Sequence, residues 1–219
     1  MRVVAIDGPA GAGKSTIAKS LAKRLGVPYL DTGAMYRAIT FAVLRDGVDL
    51  SDEVAIGSLA LATSTEMHDG QLLVDGVDAT TAIRGPEVTS AVSRVAAISG
   101  VRSVLREQQR EWVKDHNGGV VEGRDIGTVV FPDATLKVYL TASPEIRAKR
   151  RVAEAGGDVD AIARSIAERD RIDSTRADSP LFAAADSVWL DTSDLDIDEV
   201  VSILYEKTLT LEAKDNLDV

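Results

Sequence analysis

Cysteine is absent from this 219-residue chain, and histidine occurs only twice, at His68 and His116. Disulfides and thiolate metal sites are therefore excluded, and a histidine-rich zinc centre has too few ligands. A metal acting here should be a hard cation held through oxygen. Both histidines read as surface residues rather than catalysts. Basic residues are in deficit, 25 Lys+Arg against 35 Asp+Glu for a net charge of −10, which argues against non-specific nucleic-acid binding. No apolar run approaches the ~18 residues a bilayer span needs. The opening MRVVAIDG places an acid where an export signal would keep its apolar stretch. A cytoplasmic chain with neither membrane nor nucleic-acid partner is expected. What is present, 45% hydrophobic and 27% charged residues, suffices for a packed core and excludes disorder throughout. No repeat, low-complexity tract or Pro- or Ser-rich linker divides the chain, so one interrupted core is expected.

Arg2 to Asp7 (RVVAID) is a short buried-strand pattern ending at Gly8. Lys14 to Leu25 then places Ile17, Leu21 and Leu25 on one helical stripe that stops at Gly26. Val27 to Leu30 reads as a second strand and Ala34 to Arg45 as a helix. This βαβ start implies a parallel sheet. Ser51 is expected to cap a helix over Glu53 to Ala62. Thr65 to Thr80 contains Asp69-Gly70 and Asp75-Gly76, the two-residue turn chemistry of antiparallel hairpins. Helices are expected from Pro86 to about Ile98 and from Gly100 to His116, ended by Gly118-Gly119, with strands at Val120 to Glu122 and Leu136 to Thr141. Ser143-Pro144 opens another helix, Gly156-Gly157 breaks it, and Ala161 to Arg171 resumes. Ser187 to Leu190 should be the last strand and Ile197 to about Leu211 the last helix, with Ala213 to Val219 frayed. Trp112 and Trp189 read as core or partly buried packing.

Gly8-Pro9-Ala10-Gly11-Ala12-Gly13-Lys14-Ser15 fits G-x-x-x-x-G-K-[ST] between a strand and a helix start. In that context the backbone N–H groups of Gly11 to Thr16 should surround a β-phosphate, Lys14 should reach the γ-phosphate, and Ser15 should ligate Mg²⁺. Side chains at Gly8 or Gly13 should block the wrapping. A guanine-reading N-K-x-D segment is missing, because Asn117 precedes Gly and Asn216 precedes Leu. The chain is short for a motor ATPase. A small kinase remains, holding a second substrate in line with the γ-phosphate. A kinase for another small acceptor, such as UMP or shikimate, and a nucleotide-gated binding module stay open as alternatives.

Arginines carry the evidence for the acceptor, since the guanidinium fork matches phosphate oxygens. Arg37 and Arg124 both stand just past the carboxyl ends of expected strands, where open α/β sheets bind ligands. Between Arg147 and Arg176, seven arginines alternate with acids such as Glu154, Glu168, Asp170 and Asp173. A helix laced with ion pairs competes with a functional reading there. Arg147, Arg150 and Arg151 at helical spacing before Gly156-Gly157 suggest a closing arm that excludes water.

The segments IDGPAGAGKST, LDTGAMYR, VSRVAAISGVRSVLREQQR, EGRDIGTVVFPDA and ERDRIDSTRADSPL occur in this order. Together they resemble the bacterial cytidylate kinases, and GRDIGTVVFPDA separates that family from adenylate and shikimate kinases. The resemblance is weakest over Leu59 to Arg84 and after Leu209. It implies a P-loop NTPase three-layer α/β fold with a central parallel sheet, a small inserted nucleoside-monophosphate (NMP) binding region with a hairpin, and a helical lid. The corresponding boundaries are 1–32, 86–143 and 177–219 for the core, 33–85 for the NMP-binding region and 144–176 for the arginine-rich lid. It further implies an ATP- and Mg²⁺-dependent kinase acting on CMP or dCMP in pyrimidine nucleotide metabolism, expected to be a monomer. By that resemblance Arg37, Arg124 and Arg176 hold the CMP phosphate, Ser93, Arg102 and Asp125 read cytosine, and Asp173 takes the sugar hydroxyls. Arg169 assists near sugar or phosphates, and Thr32 stands where other members carry Ser. Lys14, Arg124, Arg147 and Arg151 are the candidate catalytic residues. Removing Lys14 or Arg124 is expected to leave folding nearly intact.

Overall fold

The computed structural model describes residues 1–68 and 71–215. In chain order its elements are β1 (Arg2–Asp7), α1 (Lys14–Leu25), β2 (Tyr29–Asp31), α2 (Thr32–Arg45), α3 (Glu53–Ala62), β3 (Thr65–His68), β4 (Gln71–Val74) and β5 (Val77–Asp78). They continue with α4 (Pro86–Val95), α5 (Ser99–Asp115), β6 (Gly118–Gly123), β7 (Leu136–Thr141), α6 (Pro144–Ala155), α7 (Val159–Thr175), β8 (Val188–Asp191) and α8 (Ile197–Asp215). A π-helical turn covers Ile126–Val130. The chain forms two compact units, one of residues 1–31, 110–175 and 179–219, the other of 32–109 and 176–178.

The first unit is built on a five-stranded sheet in the order β2-β6-β1-β7-β8, parallel throughout. Strand β1 is apolar on both faces and buried at every residue from Val3 to Asp7, as a central parallel strand must be. Ile17 and Leu21 of α1 pack with Val200 and Leu204 of α8 on Val4, Ile6, Val138 and Leu140. Register sets Asp7, the last residue of β1, opposite Gly123, the last of β6, and opposite Tyr139, two residues before the end of β7. The loops leaving these strands therefore start from one edge of the sheet.

The second unit has its own core. Ile39, Val43, Ile56, Val95, Val101 and Leu105 join α2 to α5, and a smaller cluster packs Ala38 and Ala42 on Leu72, Val74 and Ile83. Strands β3, β4 and β5 form a small antiparallel sheet. Its Asp75-Gly76 turn has φ of 51° and 76°, the doubly left-handed geometry of a two-residue hairpin turn. The Asp69-Gly70 turn and Asn216 to Val219 lie outside the described residues.

Several expected boundaries shift. Asp52, not Ser51, caps α3: its Oδ1 accepts the Ala55 N–H at 2.9 Å, while the Ser51 hydroxyl is taken by Asp49 at 2.8 Å. Gly118 and Gly119 already belong to β6, because the strand pairs with β1 from Arg2 onward. Helix α7 runs a turn beyond the expected Arg171, which carries Asp173 on the helix. Helix α8 extends past Leu211, its last turn tied by Arg2 to the carboxylate of Glu212. Trp189 is not core: it is 63% exposed on the edge strand β8, its ring tilted 35° against that of Tyr139 at a centroid distance of 4.8 Å. Burial there alternates with period two, and Trp189 lies on the open phase. Trp112 is partly buried, and its ring stacks at 4.2 Å on the exposed His116. Among the described residues no helix is long and apolar enough to cross a membrane.

Candidate active site

The phosphate loop turns from β1 into α1 on backbone that ordinary residues do not accept. A Cβ on Gly8 would lie 2.0 Å from the Leu140 carbonyl oxygen, so the neighbouring strand itself forbids a side chain there. Gly13, in contrast, has space, and its constraint is φ +84° at the N-cap of α1. Lys14 is buried and donates from Nζ to the Pro9 carbonyl at 2.8 Å. Burial lowers its ammonium to about 7, with Arg124's charge adding to the effect and Glu122 opposing it.

Ser15 donates from Oγ to Glu122 Oε2 at 3.0 Å, and the Tyr29 hydroxyl donates to Oε1 of the same carboxylate. Register sets this up, since Glu122 on β6 lies opposite Asp31 on β2 and Ile6 on β1. Burial, and then the charge of Asp31, push the Glu122 carboxyl above its usual range.

Beyond β6 the chain carries Arg124 and Asp125 into the π-helical turn. The backbone N–H groups of Ile126 and Gly127 donate to the two carboxylate oxygens of Asp7 at 2.8 and 2.7 Å. Asp7 is nonetheless pushed up to about 6, because its burial outweighs both donors. Arg124 donates from Nε to Asp173 Oδ2 on α7 at 2.9 Å. Burial works against the Arg124 charge, but Asp173, with Asp170 and Glu122, outweighs it and holds the guanidinium above its ordinary value. Arg169, one turn earlier on α7, is lowered to about 10 by burial and then by Arg124, and its buried Nε meets no hydrogen-bond partner among the described residues. Lys14, Arg124 and Arg169 thus repel one another in a mostly desolvated cluster, which is chemistry suited to an anion.

Arg147 and Arg151 on α6 part company. Arg147 is buried, and its guanidinium goes to the carbonyls of Ala142 and Ala10 and to Asp170. Arg151 is half-buried and pairs with Glu154 at 3.1 Å.

The other candidates lie in the second unit. Arg37 on α2 donates from Nη1 to the Ile83 carbonyl at 2.8 Å and to Thr89 Oγ1 at 2.9 Å. Arg102 on α5 is 1% exposed, donates to the Ala96 carbonyl at 3.0 Å, lies 3.6 Å from Asp178 and stands over the Tyr36 ring at 5.5 Å. Thr32 at the start of α2, Ser93 on α4 and Arg176 are all buried. Asp125, in the first unit, is buried as well.

Residues 4–209 match the model of the cytidylate kinase family. The chain belongs to the cytidylate kinase family. A relative named cytidylate kinase from Desulforamulus reducens is 52% identical over 209 residues, covering 92% of this chain and 94% of that protein. Another of the same name from Rhodococcus opacus (strain B4) is 51% identical over 211 residues, covering 92% of each. Among solved structures, an uncharacterized protein from Eubacterium ventriosum superposes with a TM-score of 0.57 at 12% identity, covering 95% of this chain and 98% of that one. TT1252 from Thermus thermophilus reaches 0.50 at 16% identity, covering 95% and 96%. At such identities the likeness speaks to fold alone.

Within this family member, four site-forming residues received no role from the sequence: Tyr29, Glu122, Asp7 and Asp178. Asp7, Glu122 and Asp178 lie inside the quoted segments, and for Asp7 and Glu122 an acid at the carboxyl end of a parallel strand is the signal that could have found them. Tyr29 has none, because its partner Glu122 is 93 positions away.

Proposed function

We propose that this chain transfers the γ-phosphoryl group of ATP to CMP or dCMP, giving ADP and CDP or dCDP. Family membership across residues 4–209 carries the reading, and the Lys14, Arg124 and Arg169 cluster beside the phosphate loop supports it. An oxygen of the CMP phosphate attacks the γ-phosphorus as the bond to the ADP oxygen breaks. That oxygen is already anionic at neutral pH, so no general base is needed and positioning with charge stabilisation does the work. Gly8 to Thr16 hold the ATP phosphates, and Lys14 follows the γ-phosphoryl group. Arg37, Arg124 and Arg176 take the CMP phosphate, with Arg169 assisting. Asp173 fixes Arg124 and takes the sugar hydroxyls, and Thr32 is a further substrate-binding residue. Arg147 and Arg151 serve the step from the 144–176 arm, the lid, and 33–85 serve as the NMP-binding region. The chain acts as a cytoplasmic monomer.

A divalent cation fits beside Ser15. Its hydroxyl and the Glu122 carboxylate are oxygen donors, and the raised proton affinity of Glu122 marks a carboxylate that a cation would relieve. Among the described residues no group of three or more Asp, Glu, His or Cys gathers to hold a metal, which suits Mg²⁺, an ion that keeps water and phosphate oxygens as ligands. Bound there, Mg²⁺ supplies charge neutralisation on the transferring phosphates. Tyr29 orients Glu122 for it. Tyr29→Phe is therefore expected to raise the Mg²⁺ concentration for half-maximal rate about tenfold, read from Mg²⁺ titrations at fixed ATP. An unchanged midpoint would remove Tyr29 from the site.

Ser93, Arg102 and Asp125 read the base. Cytosine offers an amino donor next to acceptors, whereas uracil would set a carbonyl against the Asp125 carboxylate. Asp125→Asn should erode the preference for CMP over UMP by about tenfold or more, equivalent to roughly 1–3 kcal/mol. An unchanged ratio of kcat/KM for the two would show that Asp125 does not read the base. The function itself is tested by ADP formation from ATP and Mg²⁺ with each monophosphate, and with shikimate, in turn. Fastest turnover with CMP or dCMP is expected; ADP release indifferent to any acceptor would defeat the proposal.

A further inference from the structure

Asp170 takes no part in the roles above, yet its carboxylate joins three segments far apart in sequence. It lies on α7 with its side chain 22% exposed. Oδ1 accepts the backbone N–H of Ala10, in the phosphate loop, at 3.2 Å. Oδ2 accepts Nη1 of Arg147, on α6, at 2.5 Å. The same Nη1 donates to the carbonyl of Ala10 at 3.0 Å, and Nε of Arg147 donates to the carbonyl of Ala142, just past β7, at 3.1 Å. Both backbone polar groups of Ala10 are thus held by one acid and one arginine. The next loop residue is pinned too: a Cβ on Gly11 would lie 3.0 Å from Arg147 Cβ. Asp170 also contributes favourably to the charges of Arg124 and Arg169, so it balances part of the cationic cluster.

The chemistry of this contact is specific. A phosphate-loop amide is a donor that an anion seeks, and here a fixed carboxylate takes it. Nε and Nη1 of Arg147 both go to protein oxygens, the behaviour of a brace rather than of a group reaching for a phosphate.

We propose that Asp170 is a positioning residue: with Arg147 it latches the α6–α7 arm to the phosphate loop at Ala10, setting the loop's shape and the arm's seating for phosphoryl transfer. The inference rests on the function proposed above, and it moves Arg147 from contact with phosphate to support of the loop. Misplacing reacting groups by about 1 Å can cost 10²-fold in rate, so the latch should appear in kcat. Escape of the arm should also admit water and raise ATP hydrolysis without acceptor.

The test compares wild type, Asp170→Asn, Asp170→Ala, Arg147→Ala and the Asp170→Ala/Arg147→Ala double variant. CDP formation, ADP release without CMP, and trypsin cleavage within the arm are measured on each. Asp170→Ala should lower kcat by about 10²-fold with KM for CMP within about threefold, and should speed arm cleavage about tenfold. Asp170→Asn keeps one acceptor oxygen and puts an NH2 donor in place of the other, so it should lose one of the two contacts and fall between wild type and Asp170→Ala in both kcat and arm cleavage. The double variant should fall no more than about threefold below Asp170→Ala, because groups acting as a unit are not additive. Asp170→Ala within threefold of wild type in kcat, losses that multiply in the double variant, or arm cleavage unchanged in Asp170→Ala and Arg147→Ala would each overturn the latch. Should Asp170→Ala fail to fold, Asp170→Asn and Arg147→Ala decide through the same cleavage rates. Wild type that makes no CDP would instead defeat the function, with cleavage still judging the latch.

Discussion

Lys14→Ala is expected to lower CMP-dependent ADP release by about 10²–10³-fold, the usual cost of deleting one preorganised donor to developing charge, while the protein stays folded. Lys14 Nζ donates to the Pro9 carbonyl, within the phosphate loop itself. Its folded pKa of about 7 lies below the ordinary 10.5, so the folded protein binds that proton less tightly than the unfolded chain. The charge therefore opposes folding fully below about pH 7, and the penalty fades as pH rises toward 10.5. Lys14→Ala removes the penalty. Its melting temperature should match or exceed that of wild type at pH 6, with the gap shrinking by pH 9. A coupled ADP assay and thermal melts at both pH values check this pair of effects. Turnover within threefold of wild type would remove Lys14 from the transfer step.

Arg124→Ala should cost more, and on two counts. Loss of a guanidinium at the transferring phosphoryl group is worth about 10³–10⁵ in rate. The second cost runs against the expectation from sequence that folding would survive nearly intact. Arg124 is a buried charge partner of Asp173, which is only 5% exposed and interacts with Arg169 as well, and breaking a buried pair from one side costs up to about 3–5 kcal/mol. For a chain of this size that corresponds to a fall of roughly 10 °C in Tm. Arg124→Lys should recover much of the stability through the retained charge and little of the rate, since an ammonium lacks the planar fork. Single-turnover kinetics alongside melting curves separate the two. A Tm within about 3 °C of wild type would show that the Arg124–Asp173 pair carries little stability.

Much of the site is legible because its parts are contiguous. The phosphate loop places strand, glycines, Lys14 and Ser15 within a single turn of chain, and the arginines after β2 and β6 follow directly from the strands that carry them. Where the reading went astray, a distant partner intervened. Arg147 and Arg151 look alike on one helix, yet one is buried against Ala10 and the other only half-buried beside Glu154. Trp189 carries an apolar side chain into a strand that turned out to be the sheet's edge. Helix α7 outran its apolar stripe because its last turn carries Asp173, held by Arg124 across 49 positions.

Local order in this protein, meaning the strands, the loop that cradles phosphate and the hairpin turn, is written in neighbouring residues, whose sterics and hydrogen bonds act over a few bonds. Which carboxylate meets which cation is a different matter. Asp7 holds amides 119 and 120 positions away, and Asp170 reaches back 160 positions to Ala10. Those pairings, and the shifted proton affinities of Lys14, Asp7 and Glu122, arise only when strand register brings buried charges together in a poorly solvated space. Composition counts charges but does not say which are desolvated, and desolvation is what makes them strong.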